Sequence, residues 1–167
     1  MGVNLMKVKN TLLIVVIAII LTSLVGDFVV KQLALFDYGG VEEGMSFEEY
    51  AQLIPEDQRF DYHGFSFYMN DASYPVIFKW SEDNCVAEIK SYDPADIKTG
   101  PSNFEKLEKG MSLYEVSSRV GLPIGSESDD VYVLRYWATG GTEYDIHYTL
   151  TDGMLYLDSV VKIETDG

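Results

Sequence analysis

The chain has 167 residues, 47% of them apolar, and a formal net charge of −15. That acidity excludes nucleic-acid binding, which needs clustered Lys and Arg. The 12 Tyr, 8 Phe and 2 Trp exclude an acidic disordered chain, and the single cysteine, Cys85, excludes an intrachain disulfide.

Residues 1–31 read as a cytoplasmic stub and a transmembrane signal anchor. Thr11 to Val30 is an apolar run of about 20 residues, or about 30 Å of helix, enough to cross a bilayer. Lys7 and Lys9 precede it, which puts the amino terminus in the cytoplasm and the rest of the chain outside. Asp27 falls near one interface, where its cost is small. The alternative is a cleaved signal peptide and a secreted domain. Its small-x-small cleavage pattern is poor, because Leu24 stands two before Gly26 and Gln32 two before Ala34. Outside the membrane segment, residues 32–167 carry a net −17.

The exported part is one unit used twice, at residues 36–93 and 104–167, joined by a Pro- and Gly-containing linker at 94–103. Glu43-Gly44-Met45-Ser46-Phe47-Glu48-Glu49-Tyr50 returns as Lys109-Gly110-Met111-Ser112-Leu113-Tyr114-Glu115-Val116, 66 positions later. In the first copy Gly44 permits a turn, Ser46 is an N-cap and Glu49 completes a capping box. Phe47, Tyr50 and Ile54 then share a helical face, and Pro55 stops the helix. The second copy repeats this with Gly110, Ser112 and Glu115, with Leu113, Val116 and Val120 as the apolar face, and with Gly121 and Pro123 as the stop.

Strand patterns follow each helix. In the first repeat, Phe65, Phe67 and Met69 share one face of a strand, and Val76, Phe78 and Trp80 one face of the next. In the third strand Cys85, Ala87 and Ile89 are expected inward, with Val86, Glu88, Lys90 and Tyr92 outward. Cys85 reads as a small apolar strand residue. In the second repeat Tyr132, Leu134 and Tyr136 point inward, as do Tyr144, Ile146, Tyr148 and Leu150. Leu155, Leu157 and Val161 are expected to face the helix, leaving Tyr156, Asp158, Val160 and Lys162 on the other side. The fold class is therefore α+β: two tandem repeats, each a short helical hairpin on an antiparallel sheet of three to four strands, after one transmembrane helix.

The segment Phe104 to Gly121, with its Gly110-Met111-Ser112 core, and the later Leu150-Thr151-Asp152-Gly153-Met154-Leu155 resemble one repeat of the beta-lactamase inhibitor protein family. A similar Gly-Met-Ser/Thr helix occurs in the small outer-membrane lipoprotein A (SmpA/OmlA) family. The resemblance covers most of residues 36–165. It implies two helix-covered sheets that together present a concave surface to a protein partner. The inhibitors carry a disulfide in each repeat, which this chain lacks, and Pro55 stands where a Gly is expected. Nothing here matches the inhibitors' enzyme-contacting loops, so beta-lactamase inhibition is not carried over.

The expected function is that of a membrane-anchored, extracytoplasmic protein-binding module without catalysis and without a cofactor. The alternative is an envelope-assembly factor of the SmpA/OmlA type. The partner-binding residues are placed on the open sheet faces: Arg135, Trp137, His147, Tyr156, Asp158 and Lys162 in repeat two, and Tyr68, Lys79 and Tyr92 in repeat one, with Ile77, Glu88 and Lys90 beside them. Trp, Tyr and Arg among charges are the composition of interface hot spots. A metal-dependent enzyme is a second alternative. Glu143, Asp145 and His147 share a strand face and, with Asp129 or Asp130, could ligate a hard or borderline cation.

Overall fold

The computed structural model describes residues 25, 26, 29, 30, 33, 37–126 and 132–163. Val25, Gly26, Val29, Val30 and Leu33 are helical. The rest of the expected Thr11–Val30 span lies outside the described residues. Among those described, no helix is long and apolar enough to cross a membrane.

From Asp37 onward the chain makes two four-stranded antiparallel sheets and a few short helices. Helix α1 (Phe47–Leu53) and a 3-10 turn (Glu56–Gln58) precede sheet one: β1 (Arg59–Tyr62), β2 (Phe65–Met69), β3 (Pro75–Trp80) and β4 (Val86–Ser91). Helices α2 (Pro101–Phe104) and α3 (Leu113–Val120) precede sheet two: β5 (Gly125–Ser126), β6 (Val133–Ala138), β7 (Thr142–Thr151) and β8 (Met154–Ile163). Each sheet is a meander in sequence order.

Both capping boxes form. The Glu49 N–H donates to Ser46 Oγ at 3.3 Å and the Ser46 N–H donates back to the Glu49 carboxylate at 2.9 Å. Ser112 and Glu115 do the same at 3.3 and 2.8 Å. The two residues before each cap have a further job. The Gly44 N–H donates to the Val86 carbonyl and the Val86 N–H to the Met45 carbonyl, both at 2.8 Å. Gly110, Met111 and Leu157 form the same pair of bonds at 2.7 Å. Gly-Met-Ser thus lies along the last strand of its own sheet and occupies an edge that would otherwise be unpaired. Gly44 and Gly110 reach φ +91° and +90°, a region that strains any side chain. The methionines fold back on the same turn, with Met45 Sδ accepting from the Glu42 N–H at 3.4 Å and Met111 Sδ from Glu108 at 3.5 Å.

A β-bulge near the end of each meander alters the expected strand faces. Lys79 pairs with Glu88 but Trp80 with Val86, so Ala87 is the extra residue. The alternation resets there: Val86 is buried and Ala87 exposed, the reverse of the sequence expectation. The second sheet repeats the device. His147 pairs with Ser159 and Tyr148 with Leu157, which leaves Asp158 as the extra residue. Beyond it Val160 and Lys162 stand on the helix side, opposite Ile146 and Tyr144, and Val161 stands outside, opposite Asp145. The expected assignments of Val160, Val161 and Lys162 are thereby inverted.

Sheet one is covered on both faces. Cross-strand pairs put Tyr68 with Val76 and Phe67 with Ile77, so the two apolar sets lie on opposite sides. Tyr68, Val76, Phe78 and Val86 pack with Tyr50 of α1 and with Ile54, its C-cap. Tyr62, Phe65, Phe67 and Ile77 join a second, larger core with Phe104, Leu113, Val116 and Val120 of the later helices and Leu134, Tyr136, Ile146 and Leu155 of sheet two. The second half of the domain therefore closes over the face of sheet one that α1 leaves bare.

Candidate partner-binding surface

Of the repeat-one residues assigned to a binding face, Tyr68 is buried and Tyr92 and Lys79 are half-buried. Tyr68 is on the α1 side, and burial raises its pKa. Tyr92 packs against the larger core with its hydroxyl buried, and burial pushes that hydroxyl well above its ordinary value. Lys79 reaches across to the turn between β7 and β8, with Nζ 3.8 Å from where a Cβ on Gly153 would stand. Glu88 accepts from the Tyr114 hydroxyl at 3.3 Å, and Lys90 lies 5.8 Å from the centre of the Tyr114 ring. Tyr68 is thus shielded by α1, and the remainder forms the junction between the repeats. The cause is the stacking of the second half onto the first, which no local pattern reveals.

In repeat two the residues divide. Arg135, Trp137 and His147 share the outer face of sheet two with Glu143 and Asp145, in the cross-strand rows Trp137–Glu143, Arg135–Asp145 and Val133–His147. Arg135 forms a bidentate pair with Asp145 (Nε–Oδ1 2.9 Å, Nη2–Oδ2 3.0 Å) and lies 3.7 Å from Glu143. The two carboxylates expected to ligate a cation are therefore engaged by a guanidinium. Among the described residues no group of three His, Cys, Asp or Glu could hold a metal ion, and Asp129 and Asp130 lie outside those residues. Tyr156 is exposed on this face, opposite Thr149. Asp158, at the bulge, is an ion-pair partner of Lys109, which holds its carboxyl below the usual range. Lys162, on the helix side, lines a hollow of about 390 Å³ with Lys109, Asp158 and the Phe104 and Tyr144 rings, which stack at 4.4 Å.

The outer face of sheet two is the counterpart of the face that sheet one buries. Counting along the paired strands, Phe67 corresponds to Arg135, Ile77 to Asp145, Lys79 to His147 and Met69 to Trp137. An apolar centre in sheet one is replaced by an ion pair in sheet two. That replacement lets the second repeat end the stack with a polar face.

Trp137 connects this face to a feature that was not expected from the sequence. A groove of about 400 Å³ runs between the β2–β3 end of repeat one, the linker and the β5–β6 edge of repeat two. Its apolar lining includes Met69, Pro75, Ile97, Leu122, Ile124 and Trp137. Met69, Ile124 and Trp137 are 49%, 57% and 46% exposed, unusual for three large apolar side chains around one hollow. Met69 and Trp137 occupy matching places in the two sheets.

Compared with known proteins, the chain matches no family model, no curated protein and no solved structure.

Proposed function

We propose that the chain is a membrane-anchored, extracytoplasmic protein-binding module whose contact surface centres on Trp137. The carrying observation is that Trp137 stands exposed where the outer face of sheet two meets the apolar groove, with Arg135 and Tyr156 on the same face. A half-exposed Trp beside an apolar hollow is a typical anchor for a partner. The resemblance of the two halves to the beta-lactamase inhibitor repeat supports the same class of function, and that of the Gly-Met-Ser helix to the SmpA/OmlA family supports its envelope-assembly alternative. Anchoring is supported by the apolar run after Lys7 and Lys9, and by the exposure of Val25, Val29, Val30 and Leu33 on a helix. No catalytic role and no cofactor are part of this reading.

The test is crosslinking capture from native envelopes with the full chain and its Trp137→Ala variant. The variant should fold normally and lose the captured species. Equal capture by both would remove Trp137 from the contact surface. Stable co-purification with a large membrane complex would favour the envelope-assembly form of this function over an inhibitor of a soluble enzyme.

A further inference from the structure

We infer that the groove takes a basic polypeptide segment that inserts large apolar side chains, an inference that rests on the protein-binding reading above. Among the described residues the lining includes no charged side chain, and its hydroxyl side chains are Ser73 and Thr99. A small polar ligand would find little there to fix it, whereas apolar side chains would find Met69, Ile124 and Trp137 already exposed.

The charge around the groove sets the partner's sign. The segments that wall it carry Asp71, Asp93 and Asp96, and Glu143 is the cross-strand neighbour of Trp137. The cations on the same segments are fewer: Lys98, whose Nζ donates to the Ala95 carbonyl at 2.7 Å, Arg119 beside Val120, and Arg135, which is held by Asp145. The net −17 of residues 32–167 extends this field over the exported part. A second copy of the chain would bring the same charge to the contact and be repelled, as would an anionic membrane surface. A segment with Lys or Arg flanking its apolar residues matches both the lining and the rim.

The experiment uses the full chain in zwitterionic nanodiscs, with empty nanodiscs as the blank. Three labelled heptapeptides are followed by fluorescence anisotropy: Lys-Lys-Leu-Phe-Leu-Lys-Lys, the same peptide with Glu for Lys, and the Lys peptide with a Ser-Ser-Ser centre. The first should bind about tenfold or more tightly than either of the others, and added salt should weaken it. Ile124→Ser and Trp137→Ala should each weaken it by about fivefold or more. Ile124 is the more exposed of the two, so its variant tests the groove even if Trp137→Ala disturbs the fold. If the Glu peptide binds as tightly as the Lys peptide and both substitutions weaken it, the basic partner is wrong while the groove remains a binding surface. If neither substitution changes the binding of any peptide, the inference and the Trp137-centred reading both fall.

Discussion

Tyr114 of α3 donates its hydroxyl to Glu88 of the first sheet, at 3.3 Å, and so ties the two repeats together. Burial and the neighbouring Glu88 raise the Tyr114 pKa, and both favour the neutral donor. Tyr114→Phe should cost about 0.5–1.5 kcal/mol, read as a lower urea midpoint with an unchanged slope. A double-mutant cycle with Glu88→Gln should show positive coupling. Additive effects would mean that the contact does not hold the junction.

The bulge at Ala87 makes a sharp contrast between neighbours. Val86→Ala should destabilise by about 2 kcal/mol, because it empties a site in the α1 core. Ala87→Ser should stay within about 0.5 kcal/mol, because the residue faces solvent. The opposite ranking in a denaturant titration would restore simple alternation and remove the bulge.

The polar cap of the stack can be undone. Arg135→Phe with Asp145→Ile places on sheet two the residues that sheet one has at the matching positions. The double variant should remain folded but self-associate with concentration in analytical ultracentrifugation, since its outer face becomes apolar. A monomer at all concentrations would show that the ion pair is not what ends the stack.

The capping boxes give the domain an acid limit. The Ser46 and Ser112 N–H groups hold Glu49 and Glu115 below the ordinary carboxylate value of 4.5. A lowered folded-state pKa means stability fully present above about pH 4.5 and lost as the pH falls through the folded value. Glu49→Gln with Glu115→Gln should therefore flatten the pH dependence of the melting temperature in that acid window. Ser112→Ala should cost about 1 kcal/mol at neutral pH, as a lost N-cap does.

Alkaline stability follows from the tyrosines. Burial raises Tyr50, Tyr92, Tyr114 and Tyr148 above 10.0 and pushes Tyr136 up to about 12. Raised values contribute fully below the unfolded pKa of 10.0, and the contribution is lost as the pH climbs past it. Tyrosinate absorbance near 295 nm should rise together with the loss of far-UV circular dichroism. Ionisation of most tyrosines in a folded protein would contradict the burial.

Where sequence and structure agree, the signal was local. Ser-x-x-Glu after Gly-Met defines its own helix start, and Asp152–Gly153 its own hairpin, with both residues at positive φ. His63–Gly64 is an equivalent two-residue turn, at φ +44° and +81°, but His is a weak turn former, so β1 was not expected. Arg59-Phe60-Asp61-Tyr62 is too short and mixed to announce a strand. Its Arg59 guanidinium lies 5.2 Å from the Tyr50 ring centre, a contact from another element. The bulges at Ala87 and Asp158 were illegible because a one-residue insertion leaves no mark in composition. The fate of Tyr68, Tyr92 and Lys79 depended on how the repeats stack, and the groove on three segments meeting only in the fold.

The strip of chain before each helix is also a mechanical element. Ahead of α1, the Asp37 carbonyl accepts from Asn70 Nδ2 at 2.9 Å, Val41 is buried, and Gly44 and Met45 are bonded to Val86. A pull on the chain ahead of Asp37 meets these fastenings in that order, before it reaches the helix. Because β4 continues past them, peeling the strip would bare a strand edge while most of sheet one stayed whole. Load from that side would thus be borne first by the covering of an edge, and its yield would expose a template for strand addition before the domain unfolded.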